Sequence, residues 1–246
     1  MLLTALTGIP EVQAGDDLAG LLLAAAGEVR DGDVIAVAQK IVSKAEARLV
    51  ALADVQPSPH ACALAEICGK PAALVELVLG EADELVRCVP GILIVRHRLG
   101  FVVANAAIDQ SNVPEGEGFA LLLPVDPDAS ALRLRQDILV RTRATVGILI
   151  VDSFGRAWRH GVCGTCIGAA GITVLSDQRG YPDRSGRTMQ ATMIGAGDEL
   201  AAAASLLMGQ ADEGTPAVLI RGAPAKFLGD GTACELVRPR DQDLFR

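Results

Sequence analysis

Residues 84–107 read ELVRCVPGILIVRHRLGFVVANAA. Three strand-like runs, ELVRCV, GILIVRHR and GFVVANAA, are punctuated only by Pro90-Gly91 and Leu99-Gly100. Each run must therefore turn straight back on the one before it. Parallel strands need a crossover of a dozen or more residues, and none is available here. The stretch predicts an antiparallel meander, and with it an α+β fold instead of a doubly wound sheet.

Working outward, residues 58–82 read as two helices broken at Gly69-Lys70-Pro71, because proline disfavours helix in the residue before it. Residues 2–8 form a short apolar strand. Residues 14–33 form a helix with Asp16 or Asp17 near its N-cap and Gly32 beyond its end. VIAVA (34–38) is a buried strand. In QKIVSKAEARLVAL (39–52) the period-2 and period-3.6 readings compete, and the strand reading would put Lys40 and Lys44 on one face. Residues 121–140 hold a turn and then a helix whose first turn carries Asp128 and Ser130. VGILIVDS (146–153) is the most strand-like run of the chain and ends on a carboxylate. A glycine-rich stretch follows (154–171), then a short strand at 172–176, a polar loop at 177–187, an alanine-rich helix near 197–209 and a last strand at 217–221.

The composition narrows the function. Twenty-two Lys and Arg against 30 Asp and Glu give a net charge of −8, which opposes binding to nucleic-acid phosphates. The longest dense apolar stretch, LAGLLLAAAG, is about half the length of a membrane span. The N-terminus lacks the basic region of a signal peptide, and the six cysteines are scattered, as suits a reducing compartment. A cytoplasmic protein with neither nucleic acid nor membrane as partner is expected.

Asp109 and Asp152 each sit just beyond an apolar β-run. Two such carboxylates, with hydroxyl and amide oxygens, can hold Mg²⁺ or Mn²⁺ and leave positions open for phosphates. Asp at a strand end equally serves as a turn or cap residue. Lys40 and Lys44 read as phosphate contacts or as a solvated face. No P-loop is present, since the one Gly-Lys pair precedes Pro71. Cys163 and Cys166, with His160 nearby, lack a second ligand pair and read as small apolar side chains. His60 and His97 read as structural. Arg179, Arg184 and Arg187 in the polar loop are candidates for anionic groups or ordinary surface residues.

The order of the segments GIPEVQAGDDL, DGDVIAVAQKIVSKAEARLV, GFVVANAAIDQSNV, LLLPVDPDASALRLR, VGILIVDSFGRAWRHG, DQRGYPDRSGR and DELAAAASLLMGQADEGTPAVLIRG resembles the coenzyme F420-0:γ-glutamyl ligase family, over about residues 8 to 222. The resemblance implies a GTP-dependent ligase that joins L-glutamate to the carboxyl of the deazaflavin coenzyme F420-0 and then adds γ-linked glutamates. It further implies two divalent ions (Mg²⁺ or Mn²⁺), K⁺, a homodimer and an unusual α+β fold of mixed and antiparallel sheets with flanking helices. One ligase domain would span residues 1–246, without the C-terminal flavin-reductase-like domain that some members carry. Another carboxylate acceptor such as folate, or a non-catalytic nucleotide or deazaflavin binder, are the alternatives.

Carried over by position, Asp109 and Asp152 match the family's metal-binding aspartates, with Ser153 and Gln210 at the second ion. An amide at 210 is a weaker ligand than the Glu of some members. Ile9, Pro10, Glu11 and Val12 match one nucleotide-contacting segment, and Gln39, Lys40 and Lys44 a second. Met208, Gly209, Gln210, Ala211, Asp212, Glu213, Gly214 and Thr215 match a third, and Asn112 a further contact. Asp109, Asp152 and Lys44 are the expected catalytic residues. Asn105 and Ser111 are expected to brace the turn between them. Ala47 and Ala107 stand where the family often has glycine, which at Ala107 asks whether the turn still needs a positive φ.

Overall fold

The computed structural model describes residues 1–110 and 118–243. Its main sheet has the order β1-β12-β2-β8-β9, formed by β1 (Leu2–Leu6), β2 (Val34–Ala38), β8 (Gly147–Arg156), β9 (Arg159–Ala170) and β12 (Ala217–Arg221). Only β2 and β8 run parallel; the other pairs are antiparallel. The meander is β4 (Ala82–Val89), β5 (Ile92–His97) and β6 (Val102–Ala104), in that order and antiparallel. Two small ladders complete the described strands, β3 (Leu49–Ala51) with β7 (Phe119–Leu121) and β10 (Ser176–Asp177) with β11 (Met193–Ile194). The fold class is α+β, as the meander requires.

Alternation along the central strands sorts their side chains into two cores. Ile35, Val37, Ile148 and Ile150 face α1 (Leu18–Ala26), α2 (Gln39–Ala45) and α5 (Pro127–Thr142), whereas Val34, Ala36, Leu149 and Val151 face α6 (Ala196–Met208). A third core lies beneath the meander, where α3 (Pro59–Cys68) and α4 (Ala72–Gly80) cover Leu93 and Val95. Asp17 caps α1 by accepting the Gly20 N–H at 3.1 Å. That helix ends at Gly27 (φ 67°), a turn earlier than Gly32 suggests. Among the described residues no helix is long and apolar enough to cross a membrane.

The period ambiguity at 39–52 resolves as both: α2 through Ala45, then β3 from Leu49. The glycine-rich stretch forms the edge strand β9, which its composition hid. A Cβ on Gly164 would sit 2.6 Å from the Ala201 carbonyl of α6, and one on Gly168 2.5 Å from the Pro127 carbonyl of α5. The glycines let two helices approach one strand from opposite sides.

Ala47 has φ 56°, and Asn105, Ala106 and Ala107 have φ 52°, 53° and 55°. Both alanines that replace a frequent glycine therefore occupy left-handed backbone, where a Cβ is unfavourable. Ala47 is exposed and loses no packing on truncation. Ala47→Gly is expected to stabilise the protein by about 0.5–1 kcal/mol, relieved strain exceeding the added chain entropy of the unfolded state. Thermal unfolding reads this as a rise of about 2–4 °C per kcal/mol; a lower Tm would show that the turn carries no strain.

Candidate active site

The parallel pair β2 and β8 places Ala38 beside Val151 in register, so the chain continues past both strand ends on the same edge. Open sheets bind ligands outside the carboxyl ends of such strands. From β2 the chain enters α2, where Lys40 and Lys44 stand one turn apart. From β8 come Asp152 and Ser153. The segment after β1 supplies Ile9 to Val12, and the α6–β12 loop supplies Met208 to Thr215, tethered where the Ala38 N–H meets the Pro216 carbonyl at 2.8 Å. These segments line one cleft of about 350 Å³ with Gln39, Lys40, Lys44, Asp152 and Ser153. Four stretches distant in sequence are thus brought together.

Asp109 follows the left-handed turn at 105–107, and its backbone exchanges both hydrogen bonds with Leu121 (2.9 and 2.8 Å). That bridge aims its carboxylate at Lys40 Nζ, 2.8 Å away. Asp152 is half-buried and accepts its neighbour's amide, Ser153 N, at 2.8 Å. Burial first, and then the charge of Asp109, push the Asp152 carboxyl up to about 6 despite that bond and the field of Lys40. The two aspartates therefore share one electrostatic site, although 43 positions separate them. Lys44 pairs with Glu11 across the cleft.

Ser153 Oγ donates to Gln210 Oε1 at 2.7 Å, and Gln210 Nε2 donates to Ser205 Oγ at 3.1 Å. The donors gathered here are carboxylate, hydroxyl and amide oxygens. That set suits a hard ion such as Mg²⁺ or Mn²⁺, which takes few protein ligands and completes its shell with phosphate and water. Among the described residues no group of three His, Cys, Asp or Glu is placed to hold a metal ion by itself, so an ion here would lean on hydroxyl, amide and phosphate oxygens besides Asp109 and Asp152. The charge that crowds Asp109 and Asp152 is what a bound cation would relieve.

Gln39 is 1% exposed; its Oε1 accepts the Ser43 hydroxyl at 3.0 Å, whereas Nε2 has no hydrogen-bond partner among the described residues. Such a donor, buried on the wall of the cleft, is costly until a ligand accepts from it. In the 208–215 loop, Glu213 turns back to accept the Ala211 N–H at 2.8 Å. Backbone hydrogen bonds of the loop, Ala211 first, hold that carboxyl below its ordinary range. Gly209 (φ 73°, ψ −174°) occupies backbone that essentially only glycine adopts, and its missing side chain also leaves room for the Glu213 carboxylate. Neither Ser205 nor this self-closing loop carries a sequence signal beyond its polar composition.

Asn112 and Ser111 lie outside the described residues. The turn before Asp109 is closed not by the Asn105 side chain, whose Oδ1 is buried without a partner among the described residues, but by its carbonyl, which accepts the Ile108 N–H at 3.0 Å. Cys163 and Cys166 are free thiols; Cys166 is buried, and burial holds its thiol well above the usual range. His97 is buried against the Phe101 ring, 5.1 Å between centroids. Arg179 and Arg187 pair with Asp177 and Asp183 of their own loop, at 2.6 and 3.2 Å, and none of the three loop arginines lines the cleft.

A family model described as F420-0:Gamma-glutamyl ligase matches residues 8–222. The chain is 45% identical over 244 residues to the coenzyme F420:L-glutamate ligase of Methanothermobacter thermautotrophicus, covering 97% of this chain and 96% of that protein. The proteins of the same name from Methanopyrus kandleri (46% over 239 residues; 96% and 94%) and Archaeoglobus fulgidus (42% over 241 residues; 97% and 94%) are similar to the same extent.

Proposed function

The chain belongs to the F420-0:gamma-glutamyl ligase family and is a ligase, and from that premise we propose that it joins L-glutamate to coenzyme F420-0 and extends the product by γ-linked glutamates, using GTP through an acyl phosphate. The observation that supports this reading is that Lys40 and Asp152, at the carboxyl ends of β2 and β8, line one cleft with all three nucleotide-matching segments, while Asp109 pairs with Lys40 and adds its charge to Asp152.

A carboxylate is a poor electrophile, so amide formation starts with its activation. An oxygen of the F420-0 carboxylate attacks the γ-phosphorus of GTP, and GDP leaves with the electrons of the broken P–O bond. The glutamate amine then attacks the acyl carbon, phosphate departs, and the nitrogen gives up a proton. Asp109, Asp152, Ser153 and Gln210 would hold two Mg²⁺ or Mn²⁺ ions, which supply charge neutralisation of the phosphate oxygens when bound. Lys44, oriented by Glu11, adds a cation beside the transferring phosphoryl group. Lys40 sits on Asp109 and balances its charge. Gln39 Nε2, Ile9 to Val12, Asn112 and the 208–215 loop serve the nucleotide. K⁺ as a further ion, a homodimer, one ligase domain over the whole chain and a cytoplasmic site of action complete the proposal.

Incubation of the purified protein with GTP, Mn²⁺, L-glutamate and the glutamate-free deazaflavin, followed by mass spectrometry, tests it. Mass additions of whole glutamates that depend on GTP are expected. Extension of a folate in a parallel reaction, with none on the deazaflavin, would replace the substrate. Nucleotide binding without extension of either would leave a non-catalytic binder.

A further inference from the structure

A second cavity of about 340 Å³ opens at the β9 edge of the main sheet, between that strand, the start of α5, the end of the meander and the C-terminal segment near residues 233–243. Its lining adjoins that of the cleft across the β8–β9 ladder, at Cys166 opposite Val151 and again one pair further on. Thr165 stands directly opposite Asp152 in the β8–β9 register, and cross-strand partners share a face with Cβ atoms roughly 4.5–5.5 Å apart. Asp152 lines the cleft and Thr165 lines the second cavity. Phe154, two residues beyond Asp152 and on the same face, lines the cavity too, and Phe101 leans on its ring at 4.9 Å between centroids.

The lining charges have a pattern. Arg96 forms no ion pair or side-chain hydrogen bond among the described residues, and its Nε is buried without a partner. A guanidinium left so is a prepared carboxylate site, since its planar fork matches that group and its desolvation is offset only when one arrives. Arg238 adds a second cation on the wall. Asp128, by contrast, is consumed by the fold, accepting the N–H groups of Ala169, Ala233 and Cys234. Glu84, which stands opposite Arg96 in the β4–β5 register, is drawn to Arg240 at 3.1 Å, and of the other carboxylates on the wall, Asp126 and Asp243, the first caps α5 by accepting the Ala129 N–H at 3.0 Å. Asp198 accepts the Cys166 N–H at 2.9 Å through one oxygen, and its other oxygen has no hydrogen bond among the described residues. An unpaired arginine with a half-used aspartate complements a zwitterion, whereas a ligand bearing only anionic groups would meet Asp198 as a like charge.

We propose that this cavity binds the amino-acid substrate, with Arg96 holding a carboxylate and Asp198 facing the ammonium group, so that the amine lies beside the Thr165–Asp152 junction with the nucleotide cleft. The identity of the ligand as L-glutamate rests on the ligase reading above; the carboxylate site itself rests on the geometry.

Equilibrium dialysis of radiolabelled L-glutamate against the full chain, with Mn²⁺ and a non-hydrolysable GTP analogue, tests this without turnover. Wild type binds, Arg96→Met weakens glutamate binding by at least about tenfold, Arg96→Lys recovers part of it, and nucleotide affinity stays unchanged in both. If Arg96→Met also loses the nucleotide, and so has not folded, Asp198→Asn on α6 is read in its place and is expected to weaken glutamate binding alone. Three results overturn the proposal: no glutamate binding by wild type, unchanged glutamate binding in the folded variants, or loss of deazaflavin binding in place of glutamate binding. A protein that binds glutamate through Arg96 yet extends no deazaflavin would sink the ligase substrate and leave the cavity's role intact.

Discussion

Asp152→Asn lowers the ligation rate by about 10³-fold or more, the scale seen when one charge-stabilising group is removed from a transition state, while the metal-free protein becomes slightly more stable. The two halves of this result share one cause. Asp152 is half-buried beside Asp109, and both its surroundings and that neighbour disfavour its charge. Asparagine keeps the shape and still accepts the Ser153 amide, but it removes the repulsion. The gain in stability is on the order of 1 kcal/mol, within the range usual for relieving a strained functional group. Rates at saturating GTP and glutamate, together with thermal unfolding in a chelator, measure both. A variant with wild-type rates would end the metal-site role of Asp152. A variant that loses rate and stability together would show Asp152 to be a structural residue.

Glu81→Ala costs the fold about 3–5 kcal/mol, the usual result of stranding partners of a buried charge pair. Glu81 ends the α4 segment and is met by Arg48 at 2.7 Å and Arg98 at 3.0 Å, with His97 Nε2 at a marginal 3.5 Å. Burial opposes its charge, but these neighbours outweigh it and hold the carboxyl at about 2 against an ordinary 4.5. The cluster fastens the meander to the turn that follows α2, and so to the lysine-bearing helix. A fall from 4.5 to about 2 is linked to about 3 kcal/mol of stability. Because the folded value is the lower one, that stability is fully present above pH 4.5 and is lost as the pH falls towards 2. Urea unfolding at pH 7 should separate wild type from Glu81→Ala by the full amount, and the gap should close through this acid window. A gap independent of pH would mean that packing, not charge, accounts for the loss.

The meander was legible because Pro90-Gly91 and Leu99-Gly100 leave no room for a crossover, and the cap at Asp17 was legible because it acts within one helical turn. Strand β9 was not. Its glycines at 164 and 168 exist to admit α6 and α5, and a need set by Ala201, 37 residues away, in one case and by Pro127, 41 away, in the other leaves no local periodicity. The same division runs through the site. Net charge argued against nucleic acid as a partner, and strand ends and segment order identified Asp109, Asp152, Lys40 and Lys44 as residues to watch. Neighbouring residues could not say that Asp109 lies against Lys40, that Ser153 meets Gln210, or that Thr165 faces Asp152. Arg96 carried no signal at all, since an arginine within a strand differs from any other until the structure shows what surrounds it. The sequence alone determined the meander, most of the helices and the family, because caps, turns and motif order are short-range or linear. Tertiary structure alone decided which charges meet, because an electrostatic site is defined by distances of a few ångströms between residues far apart in the chain.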